Sequence, residues 1–134
     1  MALPTTIELD KEKIMKQLLD LSSIGARDKW KLEYDSELDE LVFGKAKMPD
    51  GSFLFYVNDE INLFVMPDST VNGIFVEYFA HNYIEHNQEL KPALEVLEDR
   101  HEAGNGLAKE ALEERLLREA AGSILGRKKL TAAI

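Results

Sequence analysis

His81, His86 and His101 are the only histidines, and their spacing decides what chemistry they could share. His81 and His86 stand five residues apart, which places them on different faces of a helix. A zinc-type pair needs two histidines one helical turn apart on a shared face. Glu85 and Glu89 flank His86 and read as surface carboxylates. The chain has no cysteine, so thiolate ligands, disulfides and cysteine nucleophiles are excluded. No metal site is expected.

A second concentration of chemistry is Asp35-Ser36-Glu37-Leu38-Asp39-Glu40. A calcium loop starting at Asp35 would need glycine at its sixth position and glutamate at its twelfth, where this chain has Glu40 and Ala46. The segment therefore reads as a solvated acidic turn. Ser22, Ser23, Ser36, Ser52, Ser69 and Ser123 all fall in turn or helix-end contexts, none in a GxSxG elbow. Gly104-Asn105-Gly106 lacks the lysine of a phosphate-binding loop. No catalytic residue and no cofactor is expected.

These groups must be positioned by a recognisable order of elements. Asp10 is placed to cap a helix whose stripe is Ile14, Leu18 and Leu21. Ile7 and Leu9 form an extended lead-in. Ser22, Ser23 and Gly25 supply stop signals. Five strands then follow. Trp30, Leu32 and Tyr34 alternate with Lys31 and Glu33; Leu41 and Phe43 mark the second strand. Phe53–Val57, Ile61–Met66 and Val71–Phe79 are the third to fifth, separated by Pro49-Asp50-Gly51 and Pro67-Asp68-Ser69 turns. From Ala80 the period becomes helical. Leu90, Leu94 and Leu97 define one stripe, with Pro92 near its start. Leu112, Leu116 and Ala120 define another in a helix over 107–121. The fold class expected is α+β: an antiparallel meander of four to five strands with an N-terminal helix and two to three C-terminal helices. Residues 1–121 form one domain, and residues 122–134 are expected to fray.

The later strands are apolar on both alternating faces. Ile61, Leu63 and Val65 oppose Phe64; Ile74 and Val76 oppose Phe75 and Phe79. A sheet face with several exposed aromatic side chains is a patch that monomers rarely display. Something is expected to cover it.

Charge adds a second constraint. The net charge is −9. Residues 30–79 carry ten acids against three bases, and residues 80–119 carry ten against five. Such a body repels nucleic-acid phosphate and attracts basic proteins, so no direct nucleic-acid contact is expected. Arg127-Lys128-Lys129 suits the C-terminal end of a helix dipole. No stretch is apolar for long enough to span a membrane, the N-terminal residues lack a secretory pattern, and a cytoplasmic setting is expected.

Glu33-Tyr34-Asp35-Ser36-Glu37-Leu38-Asp39-Glu40-Leu41-Val42 resembles the opening of a small prokaryotic domain family of unknown function, with its tyrosine–aspartate pair, two further acids and a short apolar strand. Asp59-Glu60-Ile61-Asn62-Leu63-Phe64-Val65 and Val71-Asn72-Gly73-Ile74-Phe75-Val76-Glu77 are similar to its closing hairpin. The resemblance covers residues 33–77. It implies a sheet domain and, from some members, neutralisation of small basic ribonuclease-type toxins. The matching positions are structural, so no binding residue is carried over.

Together these features favour a non-enzymatic acidic interaction protein that forms a homodimer, binds a basic protein partner, or both. Its expected contact residues are Asp35, Glu37, Asp39, Glu40, Phe64, Phe75, Phe79, Leu112 and Leu116. An alternative is a small ligand-binding or catalytic protein whose pocket, at the sheet–helix junction, is lined by Tyr56, Tyr78, His81, Tyr83 and His86. A further alternative is a structural assembly subunit.

Overall fold

The computed structural model describes residues 6–20, 30–99 and 106–133. The protein is α+β. Strand β1 (Thr6–Leu9) leads into α1 (Lys11–Leu19). Five strands follow: β2 (Lys31–Asp35), β3 (Glu40–Gly44), β4 (Phe53–Tyr56), β5 (Ile61–Val65) and β6 (Val71–Glu77). A π-helical turn (Phe79–Tyr83) runs into α2 (Ile84–His86), then a 3-10 turn (Gln88–Leu90) and α3 (Lys91–Asp99). Helix α4 (Gly106–Leu125) and strand β7 (Leu130–Ala133) complete the described chain. The expected stop signals Ser22, Ser23 and Gly25, and also His101, lie outside the described residues.

Local chemistry sets the first helix as its sequence predicts. Asp10 has an extended backbone and its carboxylate accepts the Lys13 N–H at 3.1 Å. Gln17 then ties α1 to the β5–β6 turn: its amide donates to the Ser69 carbonyl at 2.8 Å and accepts the Val71 N–H at 2.8 Å.

The five strands are antiparallel in the order β2-β3-β6-β5-β4. The last strand enters between β3 and β5, so chain order is not spatial order. As the central strand, β6 has neighbours on both edges, and six of its seven residues are buried.

One face of this sheet carries Leu41, Phe43, Phe55, Ile61, Leu63, Val65, Ile74 and Val76, all buried in the main core. Helices α1, α3 and α4 gather over that core: α1 packs on α4 and β6, and α3 packs on α4 and β2. Leu112 and Leu116, expected to meet a partner, are instead fully buried. The apolar stripe of α4 supplies the cover that the chain's own sheet requires. Phe79 is corrected in the same way. The π-turn carries its ring into the core against Tyr34 (5.5 Å between centroids) and Tyr83 (5.8 Å).

The tail does not fray as expected. Helix α4 continues through Leu125, and β7 pairs with β1 from Leu9↔Leu130 to Thr6↔Ala133. Lys11 closes the junction by donating its ammonium to the carbonyls of Leu125 and Arg127. Burial of Leu130 and Ala132 provides the anchoring that composition alone did not reveal.

Candidate functional site

The β2–β3 hairpin and the end of β6 meet at one end of the sheet. In the hairpin turn, Asp35 Oδ1 accepts the N–H groups of Glu37 (3.0 Å) and Leu38 (3.2 Å), an Asx-type turn. Asp39 completes the turn in a left-handed conformation, φ 55. Tyr78, also left-handed at φ 52, turns the chain from β6 into the π-helical segment.

Asp39 joins the two. Its backbone carbonyl accepts the Phe79 N–H at 3.0 Å. Its carboxylate accepts the Tyr34 hydroxyl (2.7 Å), the Ala80 N–H (2.7 Å) and the His81 N–H (3.1 Å). His81 Nδ1 lies 2.7 Å from Asp39 Oδ2, so the imidazole is held by Nδ1 and its other edge faces outward, with the side chain 82% exposed. Desolvation pushes Asp39 up, but the Ala80 N–H, the Tyr34 hydroxyl and His81 outweigh it and hold it below the ordinary carboxylate range. The hydrogen bond to Asp39, and then the charge of Asp39, raise His81. Burial first, then the bond to Asp39, raises Tyr34.

A buried acid orienting an exposed imidazole is half of a nucleophile-activating relay. The other half is not assembled: among the described residues no serine or threonine hydroxyl bonds to His81. Nor is there, among them, a group of three or more histidine and carboxylate side chains able to hold a metal ion. His86 Nδ1 is 3.4 Å from Glu60 Oε2, which also accepts the Asn82 amide at 3.2 Å. The five residues expected to line one pocket are therefore dispersed. Tyr83 is wholly buried, Tyr78, His81 and His86 are exposed, and Tyr56 lies away on β4 with its hydroxyl on Asp59 (2.6 Å).

The more distinctive surface is the reverse face of the five-stranded sheet. Register and side-chain alternation place Asp35, Glu40 and Glu77 side by side across β2, β3 and β6, because Asp35 pairs with Glu40 and Glu40 with Glu77. The next row holds Glu33, Val42, Phe75, Asn62 and Tyr56, and the next Lys31, Gly44, Gly73, Phe64 and Leu54. Phe64 and Phe75 pack edge to face at 5.9 Å. Leu54 and Tyr56 remain 46% and 54% exposed. Met48 is the local cover, its methyl lying over the Gly44–Gly73 pair. No lysine or arginine among the described residues pairs with Asp35, Glu40 or Glu77.

Of the expected contact residues, Asp35, Glu40 and Phe64 thus share this face; Phe75 lies on it too but is buried, at 8% exposure. Glu37 is exposed in the turn. Asp39 is buried at 7% exposure and serves the hairpin instead. Sequence reasoning missed Glu77 and Glu33 as members of the acidic group. Glu33 was legible from strand alternation beside Asp35; Glu77 required knowing that β6 adjoins β3. Comparison with protein-family models, curated proteins and solved structures finds no match. Among the described residues, no helix is long and apolar enough to cross a membrane.

Proposed function

We propose that the chain is a non-enzymatic interaction module whose uncovered sheet face docks a basic protein. The observation that carries this reading is the apolar band of half-buried Val42 and Phe64 and exposed Leu54 and Tyr56, set around the buried Phe75 ring and bordered by Asp35, Glu40 and Glu77, with which no lysine or arginine among the described residues pairs. Like charges directly opposite one another on adjacent strands are destabilising, and a cationic partner relieves that repulsion. Four carboxylates against one ammonium, Lys31, also favour a basic occupant over a second copy, which would bring two acidic rows onto one interface. The resemblance of residues 33–77 to a family with antitoxin-like members supports a ribonuclease-type toxin as that occupant. An acidic protein blocks such an enzyme by occupying the surface that RNA phosphates would use. A cytoplasmic setting, consistent with the lack of cysteine, belongs to the same reading.

The test is titration of isotope-labelled chain with purified basic proteins encoded beside it. Shifts centred on Val42, Phe64, Phe75 and Glu77, lost in a Glu40→Lys/Glu77→Lys variant, are expected. Binding that the double variant leaves intact, or that maps to the helices, would overturn the reading. Sedimentation of the free chain separates a homodimer on this face from a heteromeric complex.

A further inference from the structure

A different surface holds a fixed cation with no carboxylate partner among the described residues. Arg127 follows α4 and reaches back to the edge of the main sheet. Its guanidinium donates to the Tyr56 carbonyl at 3.0 Å and the Val57 carbonyl at 2.6 Å. It also lies 5.5 Å from the Phe55 ring centroid and 5.9 Å from that of Tyr56. A guanidinium has five N–H groups, and only two are engaged by these carbonyls. No carboxylate among the described residues pairs with it, in a chain of net charge −9.

The setting is a cleft of about 240 Å³ lined by Leu54, Phe55, Tyr56, Arg127, Thr131 and Ala132. One wall is β4, the edge strand of the five-stranded sheet, and the other is β7 of the two-stranded sheet. No backbone hydrogen bond joins β4 to β7 among the described residues. The outer edge of β4 therefore has no ladder partner, and apart from the Tyr56 carbonyl taken by Arg127 it offers backbone donors and acceptors.

We propose that this cleft binds the C-terminal carboxylate of an extended peptide, anchored by Arg127 while the preceding residue pairs with the β4 edge. Three properties select that ligand. The guanidinium is planar and held in place, which suits bidentate pairing with a carboxylate. A free strand edge recognises extended backbone rather than a compact metabolite. The volume is below that of an ordinary small-molecule pocket, roughly 300 Å³ upward, and suits one or two terminal residues. A phosphate dianion is disfavoured, because Arg127 is the one cation that lines the cleft among the described residues, with Lys128 and Lys129 outside that lining. The site depends on Arg127 and the β4 edge, not on the row of Asp35, Glu40 and Glu77, so it stands or falls separately from the proposed function.

The full chain, labelled with ¹⁵N, is titrated with N-acetylated Val-Thr-Val-Thr bearing a free carboxylate, with the same peptide amidated, and with succinate and inorganic phosphate. The free-acid peptide should shift the amides of Leu54, Phe55, Tyr56 and Thr131. Amidation should weaken binding by about tenfold or more, the loss of a charge-assisted pair. Arg127→Gln should weaken the free acid to the level of the amide and leave the amide unchanged. Equal binding of acid and amide by the native chain would overturn the proposal even if the variant folds poorly. So would an absence of shifts in the cleft, or succinate or phosphate binding as tightly as the peptide.

Discussion

At Asp39 a left-handed backbone and four hydrogen-bonding groups meet in one residue. Replacing it with alanine strands the Tyr34 hydroxyl and the part-buried Ala80 and His81 N–H groups, which should cost about 1–3 kcal/mol in urea denaturation. Glycine at the same position should be less damaging by about 1 kcal/mol, because it accepts φ > 0 without a Cβ penalty. Equal stability of the two variants would remove the backbone argument. The His81–Asp39 pair also carries a pH signature. His81 is raised, so its contribution is complete below about pH 6.5 and fades as pH rises through its folded-state value. Asp39 is lowered, so its contribution is complete above about pH 4 and fades as pH falls through its folded-state value. The difference in melting temperature between the native chain and His81→Gln should therefore be greatest between these limits and shrink as pH rises through the raised His81 value. A difference that does not vary with pH would exclude the pairing.

Among the elements, β6 and β7 decide the architecture. The close approach of β3 to β6 depends on a facing pair of glycines: a Cβ at Gly44 would meet the Asn72 carbonyl oxygen and the Gly73 Cα, each at 2.7 Å. At Gly73 the nearest atom would be the Met48 methyl at 2.9 Å, the far end of an unbranched side chain. Gly44→Ala should thus destabilise by at least the ~1–3 kcal/mol typical of overpacking, and by more than Gly73→Ala. Denaturant midpoints in the opposite order would show that the Met48 contact matters more than the backbone. For β7, Leu130→Ala should cost about 2–4 kcal/mol, since Leu130 is buried between β1 and the core. The exposed neighbour Thr131→Ala should stay within about 0.5 kcal/mol. If both changes are harmless, the tail does not contribute to the fold.

For the whole molecule, the helices cover one side of the sheet and leave the other to short-range cover by Met48 and paired aromatics. The charge is organised on that uncovered side. Association with a basic partner should be steered by Asp35, Glu40 and Glu77, so its rate should fall as salt rises past a screening length of about 8–10 Å. Glu40→Lys/Glu77→Lys should slow association by about tenfold and flatten the salt dependence. Stopped-flow measurement at several ionic strengths checks both effects. A salt-independent rate would place the contact elsewhere.

Element types and many positions were legible because they are local. Asp10 sits where a cap must be, the Ile14–Leu18 spacing defines one face of α1, and Pro49-Asp50-Gly51 marks a turn through its own backbone preferences. Two-sided hydrophobicity around Val71–Glu77 marked a buried strand, but it could not distinguish burial among flanking strands from burial against a partner. Phe79 and Phe75 have the same apolar character. Only the π-turn after Tyr78 sends Phe79 into the core, while Phe75 remains in the sheet beside Phe64. Glu77 joined the acidic row, and Arg127 reached the β4 edge, through strand order and helix docking between residues far apart in the chain. Periodicity and turn chemistry are short-range and could be read directly from the amino acids. Which sheet face the helices cover, and which charges become neighbours, follows from long-range packing that no local pattern encodes.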